Sequence, residues 1–337
     1  MAPSASTTVA GITVAYEPQT DGSLMVRATS ATAPVAEAKF AAERVDEGKI
    51  LYMEATELVA TRAKAGEAAE QICPVLEKLF AVFRGEATFE AGVPAPRPAS
   101  GEFVPNPGKT IETMVDGTTW LRLPVRTRLI TMADKDLTPL LDEYVKPFLQ
   151  PGDLIFISEK VLTITQGRVV DISSIKPSPL AQFLAGKVNN NYGSAEFKGF
   201  GHGTALAMQL FIKEAGTPRV LFAAAVSAIT RPLGIKGAFY FLCGKSAKSV
   251  DCPMSFLILE YAHAAKLAPH HCNAVSKQIK ARLGHETVIV DANYRGAFSL
   301  GKSSRAITEK FIGQVLRDNP AGQSAEMTPF FIIRKKA

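Results

Sequence analysis

The segment from Glu286 to Arg305 constrains the fold more than any other part of the chain. It opens with a short apolar run, Thr287–Val290, which is rich in β-branched side chains. A run of this length and composition predicts a buried strand rather than a helix. Asp291 and Asn293 follow at the carboxyl end of the strand, and extended backbone places both side chains on one face. Carboxylate and amide oxygens are hard ligands, so we expect magnesium or manganese here, beside a phosphate.

The same segment continues into the letters of a phosphate-binding loop, G-x-x-x-x-G-K-S, with Gly296, Gly301, Lys302 and Ser303. A P-loop normally follows the first strand of a large nucleotide-binding core, but only 34 residues follow Ser303. Five residues also separate the end of the apolar strand from Gly296, whereas the motif needs a turn directly after its strand. The alternative is a tight turn capped by Ser303 or Ser304 before an ordinary helix. We reject the P-loop fold and keep Lys302 and Ser303 as candidate nucleotide contacts.

Charge and composition favour a small anionic ligand. The net charge is +6, and apolar residues make up 47% of the chain, which is typical of a globular protein. The basic residues are scattered and not interleaved with aromatics, so nucleic-acid binding is not expected. The four cysteines form no C-x-x-C pair and no zinc-like spacing, which favours buried thiols in a reducing compartment.

No targeting segment or membrane span is expected from the sequence. The N-terminus is rich in Ala, Ser and Thr and lacks the charged start and apolar core of a signal peptide. The longest apolar region, residues 220–243, is interrupted by Arg231, Pro232 and Lys236, so it cannot span a bilayer. We therefore expect a cytoplasmic protein with no membrane partner.

The pattern along the chain predicts a small α+β accessory module at residues 1–92, a proline-rich linker at 93–110 and a main domain at 111–337. In the module we expect a hairpin, a helix over Pro34–Glu47, a strand over Ile50–Glu54 and a helix over Ala65–Phe83. In the main domain the predicted strands are Leu121–Leu129, Leu154–Ser158, Arg219–Ala228, Gly237–Leu242 and Pro329–Ile333, with a hairpin over Val161–Val170. The predicted helices are Leu137–Leu149, Pro179–Val188, Ala205–Ala215, His270–Leu283 and Arg305–Arg317. Strands and helices alternate without a strict β-α-β rhythm, which favours a mixed-sheet α+β fold over a Rossmann fold.

Several residues outside the first segment could contact an anion. Gly201 and Gly203 open the helix Ala205–Ala215, and glycines at a helix start allow an anion to approach unpaired N–H groups, although they can also simply form a turn. Lys160 follows a buried strand, where it could reach a phosphate or form a surface ion pair. Arg122, Arg126 and Arg128 lie on one face of a predicted strand. They could bind a carboxylate in a bidentate manner, or they could simply form a solvated face.

Five signatures occur in an order that resembles the coenzyme F(420)-0:γ-glutamyl ligase family, especially its divergent, ligase-like bacterial branch. They are Gly152-Asp153-Leu154 with Ser158-Glu159-Lys160, the turn Gln166-Gly167-Arg168, Pro177-Ser178, the Asp251 turn, and Asp291-Ala292-Asn293. The resemblance covers roughly residues 120–334 and leaves residues 1–110 outside. It implies a ligase-like fold that forms homodimers.

The resemblance also implies an activity. Family members are GTP-dependent ligases that use divalent metals, activate a substrate carboxylate and let the amino group of glutamate attack it. Carried over to this chain, Asp251 and Asp291 match the metal aspartates, Asn293 matches a neighbouring polar position, and Lys160 and Arg168 match positions near the nucleotide. We therefore expect Mg²⁺ or Mn²⁺, with GTP or ATP as co-substrate, and a small anionic carboxylate and an amino acid as partners.

Two departures from the family leave a second function open. Ala292 stands where the characterised ligases usually have threonine, and the segment between Gly301 and Met327 is shorter than in those ligases. The alternative is a non-catalytic protein that keeps the ligase fold and binds a nucleotide or another anion.

Overall fold

The computed structural model describes residues 4–31, 33–64, 66–87, 103–187, 201–254, 258–261, 263–293, 296–322 and 326–336. Most of the predicted proline-rich linker, residues 93–102, lies outside these ranges. The described strands are β1 (Ala5–Val9), β2 (Ile12–Pro18), β3 (Leu24–Ser30), β4 (Pro34–Phe40), β5 (Glu112–Val115), β6 (Thr118–Val125), β7 (Leu154–Ser158), β8 (Val169–Asp171), β9 (Ala264–Lys266), β10 (Glu286–Asn293), β11 (Gly296–Lys302) and β12 (Phe330–Lys335). The helices are α1 (Val45–Lys64), α2 (Ala69–Phe83), α3 (Leu137–Tyr144), α4 (Glu159–Thr165), α5 (Pro179–Lys187), α6 (Ala205–Ala215), α7 (Thr217–Thr230), α8 (Ala238–Cys243), α9 (Lys245–Lys248), α10 (Cys272–Leu283) and α11 (Glu309–Val315).

These elements form two compact units, each built from two stretches of the chain. Unit 1 contains Met1–Glu90 and Val170–Lys266, and unit 2 contains Ala91–Val169 and Leu267–Ala337. The predicted linear division into residues 1–92, 93–110 and 111–337 stays a prediction. The predicted fold class is confirmed, because helices accompany a mixed sheet and a small N-terminal β module.

The N-terminal part of unit 1 is an antiparallel meander in the order β1-β2-β3-β4, with α1 and α2 packed against it. The hairpin of β2 and β3 is confirmed, and alternate side chains of both strands are buried, as a half-covered sheet requires. Gly48 lets α1 approach this sheet closely, since a Cβ there would lie 2.7 Å from Leu24 and 2.8 Å from Phe40 side-chain atoms.

Two predictions in this region are wrong. Pro34–Phe40 is a strand rather than a helix, because pairing with β3 outweighs the helix propensity of its Ala and Glu residues. Ile50–Glu54 lies inside α1 rather than in a strand. These residues are all buried. A short apolar run that is buried on every side has the same sequence pattern in a strand as in a core helix.

The second part of unit 1 is mainly helical. Side chains of α5, α6 and α7 form a shared core that includes Ala181, Leu184, Met208, Phe211 and Val220. The strands predicted over Arg219–Ala228 and Gly237–Leu242 are wrong, since these residues form α7 and α8. Alanine-rich composition and a proline in the first turn suit a helix, and these signals outweigh the apolar run that suggested strands.

Unit 2 is organised around a six-stranded sheet in the order β11-β10-β7-β12-β6-β5. Strands β7 and β10 are parallel, whereas the other neighbours in this sheet are antiparallel. The predicted strands at Leu154–Ser158, Thr287–Val290 and Pro329–Ile333 are confirmed, because each is long enough and apolar enough to fill a sheet core.

Two other predictions for unit 2 need correction. The hairpin predicted over Val161–Val170 is the helix α4 followed by β8, and the helix predicted over Arg305–Arg317 is limited to Glu309–Val315. The segment that carries the P-loop letters is the strand β11, which pairs with β10 as a hairpin. A paired strand cannot wrap its N–H groups around a phosphate, so rejection of the P-loop agrees with the structure. The turn of the alternative lies after the strand, where Ser304 Oγ accepts from Ala306 N at 3.1 Å, and an ordinary helix, α11, follows with Thr308 as its cap.

Candidate functional site

In unit 2, the parallel strands β7 and β10 bring two predicted site residues to one edge of the sheet. Val290 lies opposite Ser158 in this pair. The chain therefore leaves β7 through Glu159 and Lys160 at the same edge where β10 continues to Asp291. Polar groups at the carboxyl ends of parallel strands are the usual ligand contacts of such sheets. The structure thus brings the chain positions of Lys160 and Asp291 to the same edge of the sheet.

Asp291 and Asn293 share one face of β10, as predicted from strand periodicity. Both side chains are half-buried, and their backbones pair with Phe298 and Gly296 of β11. Ala292 points to the opposite face, where it packs against the apolar cluster of unit 2. Alanine at this position therefore fills core space on the far side of the strand from Asp291.

Glu159 is the first residue of α4, directly after β7, and is almost completely buried. Its Oε2 accepts a hydrogen bond of 3.4 Å from Thr163 Oγ1, one turn later in α4. Burial raises the pKa of the Cys272 thiol to about 11, and the nearby Glu159 carboxylate adds to that rise. Glu159 is thus a buried acid that adjoins Lys160 in the chain.

Arg168 is anchored to the backbone that follows β9. Its Nε donates to Ala268 O at 2.5 Å, and its own carbonyl accepts from Leu267 N at 3.1 Å. The side chain of Gln166 binds both backbone groups of His270. These contacts fix the Gln166-Gly167-Arg168 turn, so the guanidinium of Arg168 has a defined position.

The side chains at the end of β11 already serve the fold. Lys302 Nζ donates to Ile307 O at 2.6 Å and lies 3.7 Å from Glu309 Oε1. Ser303 Oγ accepts from Thr287 N at 2.8 Å and donates to Glu286. A phosphate at either residue would have to displace these contacts. Their predicted role in nucleotide binding stays a prediction.

The three arginines that follow one another near β6 do not form a solvated face. Arg122 is buried and paired with Asp318, and it also donates to Thr110. Arg128 is paired with Asp134 at 2.5 Å, and the hydrogen bonds of this pair raise the pKa of the arginine. Neighbouring carboxylates thus hold two of these side chains within the chain itself.

In unit 1, the structure brings the glycine-rich turn and Asp251 together. Residues 201–203 form one turn of 3₁₀ helix, and His202 Nε2 lies 3.2 Å from the carbonyl of Val250. Burial lowers the pKa of His202, while the nearby Asp251 carboxylate opposes that shift. His202 was not singled out in the sequence, since its position beside Asp251 depends on a contact across 48 residues.

The start of α6 already has a carboxylate. Asp46 Oδ2 accepts from Ala205 N at 2.9 Å, and Thr204 Oγ1 accepts from Ala207 N at 3.2 Å. Asp46 thus takes the place that a bound anion would have at this helix N-terminus. The predicted contact of Gly201 and Gly203 with a cofactor stays a prediction.

Asp251 is held by a buried lysine that sequence reasoning missed. Lys266 is 0% exposed, its Nζ lies 3.5 Å from Asp251 Oδ2, and it also donates to the carbonyl of Ser249. A two-way backbone bridge joins the same two residues. A lysine is rarely buried completely unless it is paired. The available signal was a single lysine inside the apolar stretch Ala264-Ala265-Lys266-Leu267.

Cys252, next to Asp251, is not suited to nucleophilic chemistry. Its side chain is buried, and burial together with the acids Asp46, Asp251, Glu54 and Glu47 raises the pKa of the thiol far above its usual range. Since the thiolate is the reactive form, this environment suits the buried thiol that the cysteine spacing predicts.

The predicted site residues are therefore distributed over both units. Asp251 and the glycine turn belong to unit 1, whereas Lys160, Arg168, Asp291 and Asn293 belong to unit 2. The proposed sharing of one metal by Asp251 and Asp291 stays a prediction. Within the part of the chain that the structure describes, no group of three or more His, Cys, Asp or Glu residues could hold a metal by itself.

One family model matches part of the chain. Residues 124–218 match the family model of F420-0:Gamma-glutamyl ligase, so the resemblance found in the sequence is confirmed over this range. The matched segment includes β7, α4, Lys160, Arg168 and the glycine turn. A search of curated proteins gave no match. Among the described residues, every helix is too short or too polar to cross a bilayer.

Proposed function

We propose that the protein is a metal- and nucleotide-dependent ligase that forms a γ-glutamyl-type amide. It joins the amino group of an amino acid, glutamate, to a carboxylate on a small anionic substrate and consumes GTP or ATP. The observation that carries this proposal is the family match over residues 124–218, because it includes Lys160 and Arg168. The edge shared by β7 and β10 supports it, since the chain reaches Lys160 two residues after Ser158, which lies opposite Val290, and β10 continues from there to Asp291.

The chemistry of the donors at this edge fits Mg²⁺ or Mn²⁺. Asp291 and Asn293 offer a carboxylate and an amide oxygen on one strand face, and such hard ligands suit these ions. Mg²⁺ is commonly held by one or two carboxylates and by substrate phosphates rather than by a complete protein cage. When bound, the metal supplies charge neutralisation at the transferred phosphoryl group.

The basic side chains of the chain have separate roles in this proposal. Lys160 contacts the nucleotide phosphates as a point charge, and Arg168, fixed by Ala268 O, orients a carboxylate or phosphate with its planar guanidinium. Phosphoryl transfer to a carboxylate needs positioning and charge neutralisation more than covalent catalysis by the protein.

Asp251 enters the proposal as a second carboxylate whose orientation is fixed by Lys266. Its Oδ2 lies 3.5 Å from the buried ammonium of Lys266. Lys266 is therefore a positioning residue rather than a group that touches the substrate.

Phosphate release tests the reaction. The full chain is incubated with manganese, GTP or ATP, glutamate and a panel of carboxylate acceptors that includes the deazaflavin F420-0. We expect phosphate release only when a correct acceptor is present, and a large loss of release in Lys160→Ala. Nucleotide binding without stimulation by any acceptor would contradict the proposal.

Manganese titration tests the metal. Asp291→Asn keeps the size of the side chain and removes its charge, so we expect manganese affinity to fall at least about tenfold while the fold is retained. Glu112→Gln, a change of an exposed carboxylate on β5, is the matched control and should bind manganese as the wild type does. Equal affinity in wild type and Asp291→Asn, measured by calorimetry, would remove Asp291 from the site.

A second candidate function is a non-catalytic protein that binds a nucleotide or another anion. The two departures from the family, Ala292 and the short segment between Gly301 and Met327, favour this alternative. It predicts nucleotide binding with no acceptor-dependent phosphate release. The resemblance also implies a homodimer. The mass of the purified protein, measured by light scattering, tests this expectation.

A further inference from the structure

Helices α7 and α8 form a hairpin, residues 217–243, whose outer surface is apolar. Of the ten large hydrophobic side chains that are exposed among the described residues, six lie within this hairpin. They range from 50% exposed for Leu221 to 82% exposed for Phe241. A concentration of this kind marks a surface that contacts a partner or a membrane.

The apolar residues of α7 follow one outward-facing stripe. Leu221, Phe222, Ala225, Ala228 and Ile229 are exposed and recur at helical spacing. Val220 and Ala223, on the opposite side, are buried in the core of unit 1. The helix thus has apolar residues on both its inward and its outward face, although a helix at a water-exposed surface normally has polar residues outside.

The connection between the two helices continues this surface with an ordered, exposed turn. Leu233 N and Ile235 N both donate to Thr230 O at 3.1 Å, which fixes the turn. The side chains of Leu233 and Ile235 are exposed there, and Arg231 and Lys236 lie on either side of them. Arg219 Nε donates to Leu242 O at 2.6 Å and ties the start of α7 to the end of α8.

The positive charge of this segment favours an anionic surface over a second copy of the chain as the partner of the hairpin. Residues 215–250 contain five basic and no acidic side chains, so this segment carries a formal charge of +5 in a chain of net charge +6. A two-fold contact would bring two such segments against each other, and like charges oppose that contact. An anionic lipid surface attracts the basic side chains and also buries the apolar stripe.

We propose that the α7–α8 hairpin docks on the surface of an anionic phospholipid bilayer. The side chains of Leu233, Ile235 and the outer stripe of α7 enter the boundary between headgroups and acyl chains, while Arg231 and Lys236 contact lipid phosphates. Two of the three interruptions that exclude residues 220–243 as a membrane span, Arg231 and Lys236, are the basic residues that this docking uses. The proposal replaces the expectation of no membrane partner, and it does not depend on the proposed ligase activity.

Vesicle co-sedimentation of the full chain tests the proposal. We expect binding to phosphatidylcholine vesicles that contain phosphatidylglycerol, weaker binding at high salt, and little binding to phosphatidylcholine alone. Leu233→Ser combined with Ile235→Ser should lower vesicle affinity about tenfold or more, because the apolar contribution of the tip is lost. Arg231→Glu combined with Lys236→Glu should lower it by roughly tenfold or more through reversed charge.

Two controls keep the result interpretable. Met114→Ser removes an equally exposed hydrophobic side chain on β5 in unit 2 and should leave vesicle binding unchanged. Thermal unfolding of each variant should match the wild type, since the changed side chains are exposed. Absence of binding to anionic vesicles overturns the proposal. So does a dimer that Leu233→Ser with Ile235→Ser dissociates while vesicle binding persists, because the hairpin would then cover a second copy.

Discussion

The two units bury charge in different ways. In unit 2, the Asp153 side chain is 0% exposed and accepts two hydrogen bonds of 2.8 Å from Arg334 and one of 2.7 Å from Gln150 N. In unit 1, Glu54 is 1% exposed and neither of its carboxylate oxygens has a hydrogen-bond partner. Lys266 is equally buried, and its carboxylate partner, Asp251, has a side chain that is 41% exposed.

This difference separates charges that serve the fold from charges that cost stability. A buried ion with several directed hydrogen bonds, such as Asp153, keeps most of the interactions it would have in water. A buried carboxyl without partners loses its interactions with water, and no interaction in the folded protein replaces them. Costly polar groups of this kind tend to persist where function requires them, so unit 1 is the better place to look for functional constraint.

The largest effect is expected in unit 2. Asp153→Ala should lower the free energy of unfolding by about 4 kcal/mol, because it leaves Arg334 and Gln150 N without their acceptor. Urea denaturation followed by circular dichroism measures this change. Glu112→Ala removes an exposed ion pair with Lys336 from the same sheet and should cost less than about 0.5 kcal/mol. Similar losses in both variants would mean that burial does not distinguish the two pairs.

Asp251→Asn tests how much the carboxylate partner of buried Lys266 contributes to the stability of unit 1. Lys266 would remain fully buried without the Asp251 carboxylate, so we expect a loss of about 3 kcal/mol in the free energy of unfolding. The double variant Asp251→Asn with Lys266→Met removes the uncompensated charge and should recover most of that loss. If the double variant is no more stable than Asp251→Asn, the pair is not the source of the cost.

Glu54→Leu should stabilise the protein by about 2 kcal/mol at neutral pH, since a buried acid without partners is replaced by an apolar side chain of similar size. Burial raises the pKa of Glu54 well above its ordinary value. Stability from this group is therefore present below the pKa of an unfolded glutamate and is lost as pH rises through the folded value. Glu54→Gln should flatten that decline in a series of melts at increasing pH. An unchanged decline would place its origin elsewhere.

The smallest effect concerns Lys302. Because its ammonium is engaged by Ile307 O and Glu309, Lys302→Ala should weaken GTP binding by no more than about 1 kcal/mol, roughly fivefold. Isothermal titration with GTP measures the difference. Complete loss of binding would restore the phosphate-binding role that the letters of the motif suggest.

The edge of unit 2 that carries the candidate site was largely predictable. The apolar runs of β7 and β10 have the length and β-branched content of core strands, and the side chains after them are polar. The placement of Lys160 and Asp291 at one edge was not predictable without the parallel register of those strands. The corresponding features of unit 1 were missed, because Lys266 and His202 acquire meaning only through contacts with distant residues.

The sequence by itself determined the features that depend on neighbours in the chain. These are the hairpin of β2 and β3, the helix α6 with its Thr204 cap, and the common face of Asp291 and Asn293, since backbone geometry sets each of them locally. Tertiary structure alone decided whether Ile50–Glu54 became strand or helix, and whether Lys266 was buried against Asp251. The physical reason is that an apolar run gains similar burial energy in either conformation, so the choice falls to the elements that pack around it.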